Sequence, residues 1–280
     1  MRPSLIPLTL ALLLATAPVS RAADATTNST SVTDRKFTYV LVHGAWGGGW
    51  AFREVERMLR ADGHTVYRPT LTGQGEKVHL ASLLTTNIDL NLHITDVENV
   101  IRWDNLSNVV LVGHSYGGMV VTGVADRVPD RIKHVIYLDA IVPEDGESVN
   151  KAIGNANRDT TNAFLIPPWI KGNEPIPHDV PHPARTFSQP ISLKNQAAAQ
   201  KIPTTYILTV DKGREPQQDT FFKSYERAKA RGWTTEIMEG DHNVESSKPK
   251  ELVELLENAP LESNSQKSKE GRRTRRRPTM

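Results

Sequence analysis

Three short stretches of the 280-residue chain hold side chains that could share one reaction. Gly113-His114-Ser115-Tyr116-Gly117 fits G-x-S-x-G, the pattern of a serine at the tip of a sharp strand-to-helix turn. Small residues two before and two after the serine avoid clashes between strand and helix, and Gly118 extends the small set. The turn lifts the hydroxyl clear of a sheet and aims the first helical N–H groups at the same point. A serine hydroxyl attacks only when a base takes its proton. Of the nine histidines, His242 in Gly240-Asp241-His242-Asn243 follows the last predicted strand, on the same carboxyl edge as the elbow. His43 and His114 flank the turns and suit structural hydrogen bonds. His178 and His182 are four apart, which suits a metal on a helix, but Pro177, Pro181 and Pro183 forbid that helix and leave them as lid residues. His64, His79, His93 and His134 are expected at the surface or in packing.

The base needs a carboxylate that holds its tautomer and stabilises the imidazolium. Asp211 closes the run Tyr206-Ile207-Leu208-Thr209-Val210, 96 residues after Ser115 and 31 before His242, in the chain order Ser, Asp, His. Asp211 is therefore the expected acid. Asp139, at the end of the preceding strand, is its main rival; Glu215 and Asp241 also compete, but Asp241 adjoins His242 and should point away from it. Acyl transfer also needs donors where charge develops on the carbonyl oxygen. The backbone amides of Ala45, in the turn His43-Gly44-Ala45-Trp46-Gly47-Gly48-Gly49-Trp50, and of Tyr116 are the natural pair. The spacing of that turn fits neither G-x-G-x-x-G nor a P-loop, so a phosphate cradle is set aside.

Short β-branched runs alternate with helical periods, which predicts βαβ units on a parallel sheet. Strands are expected over 37–42, 65–68, 108–113, 134–138, 204–210 and 233–238, and helices over 50–61, 92–103, 116–127, 218–231 and 249–256. Residues 142–201 break the rhythm, with eight prolines and no clear strand. A loop that long in a compact domain usually has a function, and it is expected to form a lid. Its apolar cluster Phe164, Leu165, Ile166, Trp169 and Ile170 would supply a pocket for substrate or simply the lid's own core.

Hydrophobic residues make up 38% of the chain and charged residues 24%, which excludes wholesale disorder and a polytopic membrane protein. Cysteine is absent, which removes disulfides, Cys-based metal sites and a thiol nucleophile. The net charge of +2 hides an asymmetry. From Ser263 onward seven basic residues face Glu270 alone, for +6; Arg2 and Arg21 add +2, so the body carries −6. Residues 1–22 have the form of a cleaved secretory signal: a short basic start, an apolar run from Leu5 to Ala17, Pro18, and Ser20-Arg21-Ala22. The expected organisation is signal 1–22, linker 23–36, catalytic domain 37–262 with the lid at about 142–201, and a disordered basic tail 263–280. No aromatic interleaves the tail arginines, so nucleic acid is not an expected partner.

Together these residues resemble the α/β-hydrolase superfamily, in the branch of plant methylesterases, hydroxynitrile lyases and bacterial serine esterases. The resemblance rests on the strand into His43-Gly44-Ala45, the Gly113–Gly118 elbow, the Asp211 strand end with Pro216 beyond it, and Gly240-Asp241-His242. It implies an α/β-hydrolase fold with a mostly parallel central sheet, helices on both faces and a lid insertion. It implies Ser115 as nucleophile, His242 as base, Asp211 as acid and Ala45 and Tyr116 amides as oxyanion hole. No cofactor and no metal are implied. Lyases of the branch carry threonine where Gly44 stands and lysine where Asn243 stands, so ester hydrolysis is expected over cyanohydrin cleavage. The expectation is a secreted or periplasmic serine esterase acting on a small-molecule ester, without a membrane anchor after signal cleavage. A lactonase or carbon–carbon lyase on the same site, and a non-catalytic ligand binder of the same fold, are the alternatives.

Overall fold

The computed structural model describes residues 35–83, 87–156 and 162–274. The segment expected to be a signal, nearly all of the expected linker and the last residues of the expected tail lie outside them. In chain order the elements are β1 (Thr38–Val42), α1 (Arg53–Ala61), β2 (Thr65–Tyr67), α2 (His79–Leu83), α3 (Leu90–Trp103), β3 (Val109–His114), α4 (Gly117–Arg127) and β4 (Ile132–Leu138). Then come α5 (Val149–Ala152), β5 (Phe164–Leu165), β6 (His182–Pro183), α6 (Arg185–Ser188), α7 (Gln196–Ala199), β7 (Thr204–Val210), α8 (Phe222–Ala230), β8 (Thr234–Glu239), α9 (Val244–Ser247) and α10 (Pro249–Thr274).

Six strands form one sheet in the order β2-β1-β3-β4-β7-β8, and every neighbouring pair is parallel. This is the α/β-hydrolase fold. Alternate residues of the central strands face opposite layers, as the period of two requires. Val40, Val42 and Leu111 pack with α3 and α4 residues such as Ile94, Val97 and Val120. Tyr39, Leu41, Val110 and Val112 pack with Val55 and Leu59 of α1 and Leu252 and Leu256 of α10. β3 is buried along its whole length, which is why it reads as a continuous apolar run.

The chain builds outward from β1 in both directions, so the carboxyl ends of β1 and β3 flank a topological switch point, where open α/β sheets hold ligands. Val42 pairs with Gly113 and His114 with Leu138. The residues after β1, β3 and β4 therefore emerge side by side.

The segment 142–201 contains short elements absent from the sequence expectation, including an antiparallel pair of β5 and β6. Val142, Val149, Phe187 and Ile191 bury into the main core. The disordered tail expected from Ser263 is corrected over its first part: α10 continues to Thr274. Its Glu, Gln, Lys and Arg residues are poor at forming a core but good at forming a helix, and the expectation weighed only the first property. Among the described residues no helix is long and apolar enough to cross a membrane.

Candidate active site

Ser115 stands one residue past β3 with φ of +54°, a left-handed conformation rare for a side chain with Cβ. The surrounding backbone holds it there. Its amide donates to the Leu138 carbonyl at 3.2 Å, and its carbonyl accepts from Gly118 and Ile141 amides, each at 3.1 Å. The glycines of the elbow are required by contact. A Cβ on Gly117 would lie 2.7 Å from the Val42 carbonyl oxygen, and one on Gly118 2.2 Å from that of Ile141. Trp46 and Asp139, just past β1 and β4, also have positive φ, of 66° and 43°. Three neighbouring strand ends thus carry strained backbone at one place, a clustering typical of functional sites.

His242 Nε2 lies 3.0 Å from Ser115 Oγ, and His242 Nδ1 lies 2.6 Å from Asp139 Oδ2. A carboxylate only accepts, so Nδ1 carries the proton and Nε2 presents its lone pair to the serine. Asp139 is buried, and its Oδ1 accepts from the Thr209 amide at 3.2 Å. Burial pushes the His242 pKa down, but the hydrogen bond and charge of Asp139, with the charges of Glu245 and Asp219, outweigh it and raise the value above 6.5. Phe221 stacks on the imidazole at 5.1 Å and 7°, while His114 packs at 4.6 Å and 41°.

Asp211, the expected acid, is not at the imidazole, and this is a correction. Leu138 pairs with Ile207, so Asp139 follows that level at once, whereas β7 runs on through Val210. Three further residues at ~3.3 Å each carry Asp211 roughly 10 Å past the level of Asp139. There it is half exposed and pairs with Arg214 at 3.2 Å. Asp241 faces away from His242, as expected, and accepts from Asn243 N and Ser247 Oγ. Chain order could not separate the two aspartates; strand register does.

Ala45 and Tyr116 border the serine, and neither amide donates to an acceptor among the described residues, which leaves both free for a substrate oxygen. His43 braces this strand end: Nδ1–H donates to Gly44 O at 2.7 Å and Nε2 accepts from Leu71 N at 3.1 Å. Burial pushes its pKa down to about 4, so the ring stays neutral. His182 comes from the lid to the same place. The Trp46 amide donates to its Nδ1 at 3.2 Å, Trp46 Nε1 donates to Leu165 O at 3.1 Å, and Val180 N donates to Trp46 O at 2.8 Å.

The hydroxyl and imidazole open into a cavity of about 630 Å³, walled by Trp46, Trp50, Trp169 and Ile170 among others. Of the five-residue apolar cluster in the lid, Trp169 and Ile170 reach this cavity; Ile166 is 63% exposed. Glu245 also lines it and drew no attention in the sequence. Its place three residues after the histidine was the only available hint.

The arrangement is suited to proton removal from Ser115, attack on a carbonyl, and transfer of that proton to a leaving group. Residues 39–255 match the profile of the family described as "Alpha/beta hydrolase family". The carbendazim hydrolyzing esterase of Nocardioides sp. (strain SG-4G) is 36% identical over 242 residues, covering 78% of this chain and 97% of that one. Methylesterase 2 of Arabidopsis thaliana is 32% identical over 121 residues, covering 39% and 41%. A solved extracellular alpha/beta-hydrolase from a Paenibacillus species, described as homologous in structure and function to tobacco salicylic acid binding protein 2, superposes with a TM-score of 0.64. It is 26% identical and covers 80% of this chain and 98% of that one.

Proposed function

The chain belongs to the alpha/beta hydrolase family, and on that footing we propose that it is a serine hydrolase cleaving small carboxylic esters through an acyl-enzyme. The observation that carries this reading is the continuous line Asp139 Oδ2, His242 Nδ1, His242 Nε2, Ser115 Oγ, with gaps of 2.6 Å and 3.0 Å. His242 takes the Ser115 proton as Oγ attacks the ester carbonyl. The Ala45 and Tyr116 amides receive the oxyanion. The imidazolium returns the proton to the leaving alcohol, and the acyl group remains on Ser115. Water, deprotonated by His242, then attacks the acyl carbonyl, and the imidazolium returns that proton to Ser115 Oγ as the acid departs. Asp139 holds the tautomer throughout.

Ester hydrolysis is supported by the esterase that shares 36% identity across nearly its whole length. The three tryptophans favour substrates with an apolar or aromatic group beside the scissile bond. Gly44 and Asn243 favour hydrolysis over cyanohydrin cleavage. Export of the mature chain is part of the proposal and rests on the sequence of residues 1–22.

The test is turnover of p-nitrophenyl acetate and butyrate together with labelling by a fluorophosphonate. Wild type should turn over both esters and acquire one label on Ser115, and Ser115→Ala should do neither. Folded wild type that does neither would overturn the reading in favour of a ligand binder; cyanide release from mandelonitrile would favour the lyase. N-terminal sequencing of the protein from periplasm or medium tests export, with cleavage after Ala22 the expected result.

A further inference from the structure

Glu245 sits in α9, three residues after the base. It is buried, at 2% exposure, and its Oε2 has no hydrogen-bond partner. Its Oε1 lies 3.5 Å from His114 Nδ1. On the other side of the same ring, His114 Nε2 lies 2.8 Å from the His242 carbonyl oxygen. A carbonyl oxygen only accepts, so His114 Nε2 carries a proton. Burial and the neighbouring His242 keep the His114 pKa well below its usual value, so the ring is neutral and Nδ1 is a bare lone pair. An ionised carboxylate facing that nitrogen would set acceptor against acceptor. A carboxylic acid there becomes the donor the geometry lacks.

We propose that Glu245 is a positioning residue for the base: as the acid it donates to His114 Nδ1, His114 donates to the His242 carbonyl, and the loop bearing the imidazole is held against Ser115 and Asp139. The chain of contacts runs from α9 through the last residue of β3 to the loop after β8. It rests on the reading of His242 as base but makes no use of the substrate.

The groups facing Glu245 are His114 from β3, His242 and Asp241 from the loop after β8, and Asp139 from the end of β4. Burial pushes the Glu245 pKa up to about 7; its own backbone amide and His242 pull it down, while Asp241 and Asp139 push it up. His242 in turn faces Asp139, Glu245, Asp219 and the His114 ring. Glu245 therefore has two effects. Protonated, it completes the clamp. Ionised, it makes His242 more basic.

The experiment is a histidine ¹⁵N NMR titration of the full chain, in wild type, Glu245→Gln and Glu245→Leu, beside steady-state kinetics. Wild-type His114 should remain the neutral Nε2–H tautomer across the neutral range. Glu245→Gln is neutral like the acid it replaces, so it should leave the His242 pKa little changed where Glu245 is protonated. Its amide can still donate to His114 Nδ1, so kcat should fall by less than in Glu245→Leu. Glu245→Leu loses the donor, and kcat should fall on the order of tenfold with KM little changed, as misplacement of a reacting group does. In a His114→Gln background the kcat effect of Glu245→Leu should shrink, the mark of two residues acting through one contact. An Nδ1–H tautomer at His114, a His242 pKa lowered by about a unit or more in Glu245→Gln, or equal kcat in all three proteins would overturn the proposal. The NMR arm needs no turnover, so a failure of the ester reading is told apart from a failure of this one.

Discussion

Asp139 Oδ2 accepts the Nδ1 proton of His242 at 2.6 Å, from a carboxylate that is almost wholly buried. Its second oxygen is occupied by the Thr209 amide, so the carboxylate has one orientation open to it. Asp139→Asn should leave the fold intact but favour the wrong imidazole tautomer, lowering kcat by on the order of 10⁴. Asp211→Asn, which loses only the half-exposed pair with Arg214, should stay within about twofold of wild type. Steady-state kinetics on the two variants decide between the carboxylates, and the reverse ranking would remove Asp139 from the mechanism.

The raised pKa of His242 has a consequence for the pH profile. Only the neutral imidazole can accept the serine proton, so kcat/KM should fall as pH drops, with the acid limb centred above 6.5. Asp139→Asn removes the charge that favours the imidazolium, so its residual activity should show that limb at lower pH. A wild-type limb centred below 6.5 would contradict the electrostatic account.

Gly44 lies under the nucleophile. A Cβ there would stand 3.1 Å from Ser115 Cβ and 3.2 Å from His114 Nδ1. Gly44→Ala should cost roughly tenfold or more in kcat, because displacing the serine disturbs the attack geometry. The melting temperature should fall little, since the neighbours need give way by only a few tenths of an ångström. Unaltered kinetics would mean that the β1 end can recede from the elbow freely.

Buried histidines should make the fold sensitive to acid. Burial lowers His43, His93 and His134 to about 4 in each case. The unfolded chain takes up protons near 6.5 that the folded chain refuses until about 4. Stability is therefore fully present above 6.5 and is lost as pH falls toward 4, by about 1.4 kcal/mol per pH unit for each such histidine. His134 Nε2 contacts Thr205 Oγ1 at 2.9 Å, while its Nδ1 is buried without a partner. His134→Gln should flatten the slope of chemical-denaturation stability against pH by about one proton's worth. An unchanged slope would show that His134 already titrates like an exposed histidine.

Much of this was legible from residue types and spacing. The elbow could be recognised because close contacts forbid a side chain at Gly117 and Gly118, and the alternation of apolar runs with helical periods gave the parallel sheet. His242 could be placed because the strand before it ends on the same edge. The acid was not legible, because Asp139 and Asp211 both close apolar strands, and only pairing between β4 and β7 shows that one stops level with the serine and the other overshoots. Glu245 was hidden for a related reason: a glutamate in a polar loop sequence reveals its burial only when α9 folds back under His114. The extension of α10 was missed because absence of apolar residues was weighed against folding, although a helix needs no core to follow from one already docked.

At the carboxyl end of β1 the segment 142–201 is held by one residue, and at that of β3 its Phe187 and His182 pack on the Tyr116 ring. Val180, His182 and Leu165 all converge on Trp46, whereas Ser115, His242 and Asp139 are held by the sheet and the loop beyond it. Covering and chemistry are thereby nearly separate modules. A crossover of different length and pocket shape could be grafted between β4 and β7, and the nucleophile would keep its partners as long as the graft preserved the three contacts with the backbone and indole of Trp46.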